Sequence, residues 1–184
     1  MSVIDVDTER AGYHDFLDSR RTMVLSTTDA DGHPFISYAP FVVHDGSFHV
    51  YVSRIAEHYW HLVNLDRVSG LLIADEKDSP NLFARHRVRF ECAVTRLDDP
   101  DEGTDTDPHE DVFALFAERF NASLITLLRT LDFSLFRLTP LSGRYVVGFG
   151  KAFDVDLAGS RFDHVVVDKR QAEIREQDRR GRMG

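Results

Sequence analysis

Ser53-Arg54 stands where an alternating run, Phe48 to Val52, gives way to a helical period. A helix start presents unpaired backbone N–H groups, and a guanidinium beside them adds a bidentate grip on an anion. Ser53 is the expected N-cap. Arg21 sits at the mouth of the first strand, and Arg85, Arg87 and Arg89 crowd the approach to a later one. As a barrel rim these cations would hold a phosphate or a propionate. The alternative is an ordinary basic rim paired with Asp75, Glu76 and Asp78. Tyr38, Tyr51, Tyr59, Trp60, Phe83 and Phe90 could pack a planar cofactor, though each alone reads more readily as core.

Other chemistries are poorly served. No G-x-G-x-x-G follows a strand: Gly148-Phe149-Gly150 continues as Lys151-Ala152-Phe153. The phosphate-loop and nucleophile-elbow patterns are missing too. His58 and His61 share a helical face, but Glu57 precedes the pair and does not lie inside it, so the zinc grammar fails. Cys92 is the one cysteine; it alternates with apolar residues and reads as a small buried hydrophobe.

The elements that must position these residues can be read from periodicity. Residues 8–20 suit a leading helix, with Tyr13, Phe16 and Leu17 on one face. Met23 to Thr28, Pro34 to Val43 and Phe48 to Val52 form a three-strand meander turning at Asp31-Gly32 and Asp45-Gly46, where Asp-Gly favours positive φ. Pro40 predicts an edge or a bulge. Ile55, Tyr59, Leu62 and Val63 predict the apolar face of a helix. Ser69 to Ala74 and Val88 to Leu97 are strands. Pro108 opens a helix with Val112, Phe113, Leu115, Phe116 and Phe120, and Leu124 to Leu131 continues helical. Phe133 to Leu138 and Tyr145 to Val155 are two further strands, and Phe162 to Val167 is a strand or a short helix. The pattern lacks a βαβ rhythm, so the expected class is mainly β with flanking helices (α+β), a split antiparallel β-barrel.

The 184 residues suffice for one core. The organisation expected is a helical extension over 1–20, a barrel domain over 21–170 and a charged, flexible tail over 171–184. The longest apolar runs fall far short of a membrane span, and the acidic start does not resemble a signal peptide, so a cytoplasmic protein without membrane contact is expected. Net charge is −9, and eight acids without a single Lys or Arg lie between Asp98 and Asp111. That segment reads as an exposed, mobile loop, and nucleic acid is not an expected partner.

Leu25-Ser26-Thr27-Thr28-Asp29-Ala30-Asp31-Gly32-His33-Pro34, followed by Ser37-Tyr38-Ala39-Pro40-Phe41, resembles the opening of the pyridoxamine 5'-phosphate oxidase-like, FMN-binding split-barrel superfamily. Within it the chain is most similar to the heme-utilisation branch, through Ser53-Arg54-Ile55-Ala56-Glu57-His58, Asp75-Glu76, Leu82-Phe83-Ala84-Arg85, Asp132-Phe133-Ser134-Leu135-Phe136-Arg137-Leu138 and Gly148-Phe149-Gly150-Lys151-Ala152-Phe153. The resemblance spans about residues 15–170. It implies a homodimer with the cofactor, heme or FMN, in a cleft between subunits. In flavin members the strand–helix junction holds the FMN phosphate. That maps onto Ser53 and Arg54, with Arg21 as a looser match, while Ile55 and Ala56 stand where a further cation is usual. In the heme branch an Asp before the Phe-x-Leu-Phe-Arg strand assists an axial histidine. Asp132 matches the Asp, and the histidine position falls near Arg170. Arginine has no lone pair for iron, which leaves His164, the one histidine after His109, as the heme-iron ligand. Three functions follow: a heme-binding and heme-degrading protein of iron utilisation, an FMN-dependent oxidoreductase acting on a small substrate, or a split-barrel binding module without cofactor.

Overall fold

The computed structural model describes residues 5–97 and 107–165. Asp98 to Thr106, Arg170 and the 171–184 tail lie outside the described residues, as does the expectation of a flexible tail. The chain begins with α1 (Val6–Ser19), capped by Asp5, whose carboxylate accepts from the backbone N–H of Asp7 and Thr8 at 3.2 and 3.3 Å. There follow β1 (Thr22–Thr28), β2 (Pro34–His44), β3 (Ser47–Ser53), α2 (Glu57–Asn64), β4 (Arg67–Ile73) and β5 (Arg87–Leu97). After the acidic segment come α3 (Glu110–Arg119), α4 (Ala122–Leu128), β6 (Phe133–Gly148), β7 (Lys151–Val155) and β8 (Phe162–His164).

All pairings are antiparallel. The strands run β3-β2-β1-β4-β5-β6, and β6 returns to β3, which closes a six-strand barrel. The second half of β6 then carries β7 and β8 outward. The meander turns where expected: Asp45 and Gly46 take φ of 46° and 67°, the left-handed pair that lets a two-residue turn follow the strand twist.

Alternation fills the barrel. Phe48, Val50 and Val52 of β3, Val88, Phe90 and Cys92 of β5, and Phe136 and Leu138 of β6 all point inward and are buried. Tyr13 and Phe16 seat α1 in this same core against Tyr145. A second, smaller core lies outside the barrel wall, where Val112, Phe113 and Phe116 of α3 and Ile125 of α4 cover Val42 and Leu135. Arg129 secures that cover. Its guanidinium bonds Asp107 at 3.0 Å and Glu110 at 2.8 Å and lies 4.4 Å from the Phe113 ring centre. The C-terminal end of the acidic segment is therefore docked, contrary to a wholly mobile loop.

Three local expectations change, and one open alternative is decided. β6 is one strand of 16 residues that joins the expected Phe133 to Leu138 strand to the start of the expected Tyr145 to Val155 strand, whose remainder turns at Gly150 into β7. The join is possible because Pro140 sits at a bulge, where Cys92 opposes Pro140 while Glu91 opposes Ser142, leaving Leu141 extra. A bulge needs no N–H from proline. Pro40 is at neither an edge nor a bulge. It is the last β2 residue paired with β1, and the pairing with β3 starts at Phe41, so the missing donor falls where the strand changes partner. Ile55 is 87% exposed and stays off the apolar face of α2, which begins only at Glu57. Phe162 to His164 is a strand.

Candidate functional site

Ser53 ends β3 opposite Phe133, the first residue of β6. It does not cap α2. The Ala56 N–H donates to the Ser53 carbonyl at 3.1 Å, closing a turn, and Ala56 itself takes the cap position without any side-chain bond. The open N–H groups of the helix thus lie beyond Ser53, and of the groups expected to meet an anion the Arg54 guanidinium is the one placed at this junction. Arg54 donates its backbone N–H to the Asp132 carbonyl at 2.9 Å. Its Nε lies 2.8 Å from Ser134 Oγ and 3.3 Å from an Asp132 carboxylate oxygen. Ser134 is buried, whereas the Asp132 carboxylate is well exposed. A buried hydroxyl and a surface carboxylate therefore aim one guanidinium. Beside it Tyr51 packs on Phe133 and Phe113, each with ring centres 5.2 Å away. The arrangement can orient a positive charge toward an anion and offers an exposed acceptor at the same place. Ser134 is not singled out by sequence; its only signal is alternation, which reads as core.

The other expected site residues go elsewhere. Arg21 donates to the Arg119 carbonyl and stacks over Phe120 at 5.5 Å. It lines a cleft of about 600 Å³ between α1, α3 and β2 that does not include Arg54. Arg85 is engaged within the chain: Nε and Nη2 donate to the Ala74 carbonyl at 3.1 and 2.5 Å, and Nη1 meets Glu76 at 3.3 Å. The paired-rim alternative holds for it. His164 ends β8, its Nε2 3.1 Å from the Gly150 carbonyl. It opposes Phe153, which opposes Tyr145. Asp132 adjoins the start of β6, so the two lie 13 positions apart along β6, roughly 40 Å of strand at about 3.3 Å per residue. The structure gathers Ser53, Arg54 and Asp132 and holds Arg21, Arg85 and His164 apart from them.

Among the remaining candidates, Tyr59 and Phe90 are core, while Tyr38, Trp60 and Phe83 are exposed. His61 Nδ1 contacts the Thr27 hydroxyl at 2.9 Å and its ring packs on Phe35, a structural role. Burial pushes the Cys92 thiol up to about 12, which leaves it protonated and unreactive. A cluster the sequence reading missed lies at the other end of β3. His44, His49 and His109 share a pocket of about 480 Å³ with Asp45, Asp111 and Arg137. His49 is 3% exposed, and burial, with His44, Arg137 and His109 adding to it, pushes its imidazole down to about 4.

No helix among the described residues is long and apolar enough to cross a membrane. Residues 11–146 match the family model described as pyridoxamine 5'-phosphate oxidase. Over 141 residues, 77% of either chain, the sequence is 38% identical to the protein of Vibrio cholerae named heme oxygenase HutZ. The crystal structure of HutZ, there described as a heme storage protein, superposes with a TM-score of 0.64 at 36% identity, covering 74% of this chain and 91% of that one. The structure of Campylobacter jejuni ChuZ gives 0.74 at 25% identity, covering 89% of this chain and 64% of the other. With a closed antiparallel barrel, this element order and a family match over most of its length, the chain belongs to the pyridoxamine 5'-phosphate oxidase-like split-barrel family.

Proposed function

We propose that the chain binds heme between two protomers and takes part in heme breakdown. The observation that carries this reading is the 38% identity, over three quarters of both chains, to a protein named for heme oxygenation. The residues present fit the group. The Gly150 carbonyl can only accept, so His164 Nε2 donates to it, which leaves Nδ1 as the nitrogen with the lone pair in the neutral ring, the form in which imidazole ligates a metal. Arg54, held by Ser134 and Asp132, supplies a fixed positive charge for a propionate. These two groups lie at opposite ends of β6, so a site using both needs the His164 end of one protomer against the Arg54 end of the other. A homodimer therefore belongs to the proposal.

When bound, heme supplies the redox-active iron and the oxidisable ring. The chain's own contribution is positional. His164 offers a ring nitrogen whose orientation is set by the Gly150 carbonyl. Arg54 neutralises a carboxylate while Ser134 prevents its guanidinium from swinging away. Asp132, exposed beside Arg54, accepts a hydrogen bond from a donor that approaches the cleft. The second reading, FMN, is favoured by the family match and would use Ser53 and Arg54 for its phosphate. Ile55, 87% exposed, and Ala56 offer that phosphate no second cation.

Titrating the purified protein with hemin and with FMN separates the readings. Hemin should raise a Soret band that His164→Ala removes. Arg54→Ala should weaken hemin binding roughly ten- to a hundredfold, the worth of a charged hydrogen bond, and Arg54→Lys should recover part of the loss. Flavin absorbance retained through purification, without a hemin response, would replace heme by FMN. No response to either would leave the cofactor-free module.

A further inference from the structure

We propose that the pocket between the β2–β3 turn and the start of α3 binds a divalent first-row transition-metal ion, with the imidazoles of His44, His49 and His109 as nitrogen ligands and the Asp111 carboxylate completing the set. Three elements converge to build it. His44 ends β2 and is followed by the tight Asp45-Gly46 turn. His49 lies on β3 opposite Val42, which puts it diagonally across the hairpin from His44 on the outer face of the barrel wall. α3 lies over that face and brings His109, its N-cap residue, and Asp111 to the same pocket.

His49 is the unusual group. Its position on the wall is one that an apolar side chain would fill, next to Val42 and under the α3 cover. It is instead an imidazole, 3% exposed, whose Nδ1 makes no hydrogen bond of good geometry among the described residues, the Ser47 backbone being a polar neighbour of the ring on the same strand. A buried polar nitrogen left unsatisfied is destabilising, and such a group calls for a missing ligand, water or ion.

The neighbours are consistent with a cation. The His44 and His49 ring centres are 6.0 Å apart. Two imidazoles on one tetrahedral ion stand about 5 Å apart, given metal–nitrogen bonds near 2 Å. Closing that gap takes a rotation of the His44 ring, which is only loosely held, its Nε2 3.4 Å from the Asp45 carboxylate, and matching rotations of His109 and Asp111, since no three donor atoms of this pocket lie within 4.8 Å of one another. His109 caps α3 with its backbone alone, so its ring is not spent on the helix. Asp45 and Asp111 contribute negative charge, which disfavours an anion in the same pocket, while Arg137 is exposed and its charge is screened by water. Nitrogen-rich donor sets with one carboxylate suit zinc, cobalt, iron or nickel. The one trio of described residues whose donor atoms already lie within 4.8 Å, Asp29, Asp31 and His33, is a different case. There the Asp29 carboxylate is already engaged by the Asp31 and His33 backbone N–H groups and by the His33 ring.

The pocket is separate from the Arg54 cluster. His49 opposes Arg137 and Ser53 opposes Phe133, four positions and roughly 13 Å along β3. A metal titration and a hemin titration therefore test different places. Heme-free, full-length protein is titrated with Co²⁺, read by the visible d–d bands of the bound ion, and then challenged with Zn²⁺. Saturation near one ion per chain is expected, with Zn²⁺ bleaching the bands. His44→Ala and His109→Ala should each weaken Co²⁺ binding by at least about tenfold, and His33→Ala should leave it unchanged. His44 and His109 are half-buried, so these variants keep the fold, which circular dichroism checks, whereas His49→Ala would disturb the wall. Undiminished Co²⁺ affinity in the His44→Ala/His109→Ala double variant, loss of binding in His33→Ala, or no binding of either ion below millimolar concentration would each overturn the assignment.

Discussion

One face of β2 meets two different environments. Val42 is 2% exposed beneath α3, in the second core with Phe113 and Leu135. Ile36 and Tyr38, on the same face of the same strand, are 65% and 66% exposed. Alternation treats these positions alike, because all three point to the outside of the barrel. The difference is the reach of α3 and α4, which cover β2, β3 and β6 and leave the β1–β4 side uncovered among the described residues. On that side the register aligns Tyr38 with Val24 and Val24 with Leu71, and the row ends at Arg89. An apolar row bounded by charge is what an interface between chains requires, not what a lone barrel needs. The covered side is completed by the chain's own helices. The bare side is where the proposed homodimer would be completed.

The largest effect is expected on the covered side. Phe113 is 7% exposed and packs edge-on against Tyr51, with Arg129 stacked on its ring. Phe113→Ala removes the centre of the second core and should cost about 3–5 kcal/mol, read as a lower midpoint in denaturant. A cost near zero would show that α3 and α4 are loosely attached, and the contrast between the sides would fail.

A smaller effect is expected at the edge of that cover. Arg129 is about one-third exposed and joins Asp107 and Glu110 while capping the Phe113 ring. Arg129→Ala should cost roughly 1–2 kcal/mol, since it strands the mostly buried Asp107 carboxylate as well as removing a stacking contact. Asp107→Asn should recover part of that loss in the double variant. High salt should diminish the cost only partly, because Asp107 is poorly hydrated. Equal stability with and without Arg129 would return the whole acidic segment to an unstructured role.

Much of the barrel was legible in the sequence, because its signals are local. Asp31-Gly32 and Asp45-Gly46 announce their turns, and the alternation of Phe48, Val50 and Val52 or of Val88, Phe90 and Cys92 needs only neighbours to be read. The candidate site is less legible because it is made by a long-range pairing. Ser53 and Phe133 are partners across the closure of the barrel, and that register alone brings Asp132 and Ser134 to Arg54. Nothing within a window around residue 53 states it; the link to Asp132 came from family resemblance. Ser53 was misread as a cap because a polar residue before a helix is a common signal, and here a three-residue turn intervenes. His49 escaped notice for the opposite reason. A polar residue in an alternating strand reads as solvent-facing, and its burial is imposed by a helix more than sixty residues away.

The smallest expected effect on the single chain is the one that sharpens the comparison most. Ile36→Lys and Tyr38→Lys place charges on a face that water already reaches, so neither leaves a cavity or a stranded polar group. Exposed substitutions of this kind shift stability by within about 0.5 kcal/mol, and the long lysine stem can still lie along the Val24 and Leu71 surface. The same charges would be ruinous inside a packed interface, where a lysine loses its hydration without gaining a partner. Across a two-fold axis the damage doubles, because each patch meets a copy of itself or its neighbour. Sedimentation should therefore give a dimer for the unaltered chain and a 21.0 kDa monomer for the double variant, with little change in secondary structure. Hemin affinity should fall with the dimer if His164 and Arg54 serve one site from two chains. A double variant that stays dimeric would move the interface off the β1–β2–β4 face, and a monomer with undiminished hemin binding would confine the cofactor to one subunit.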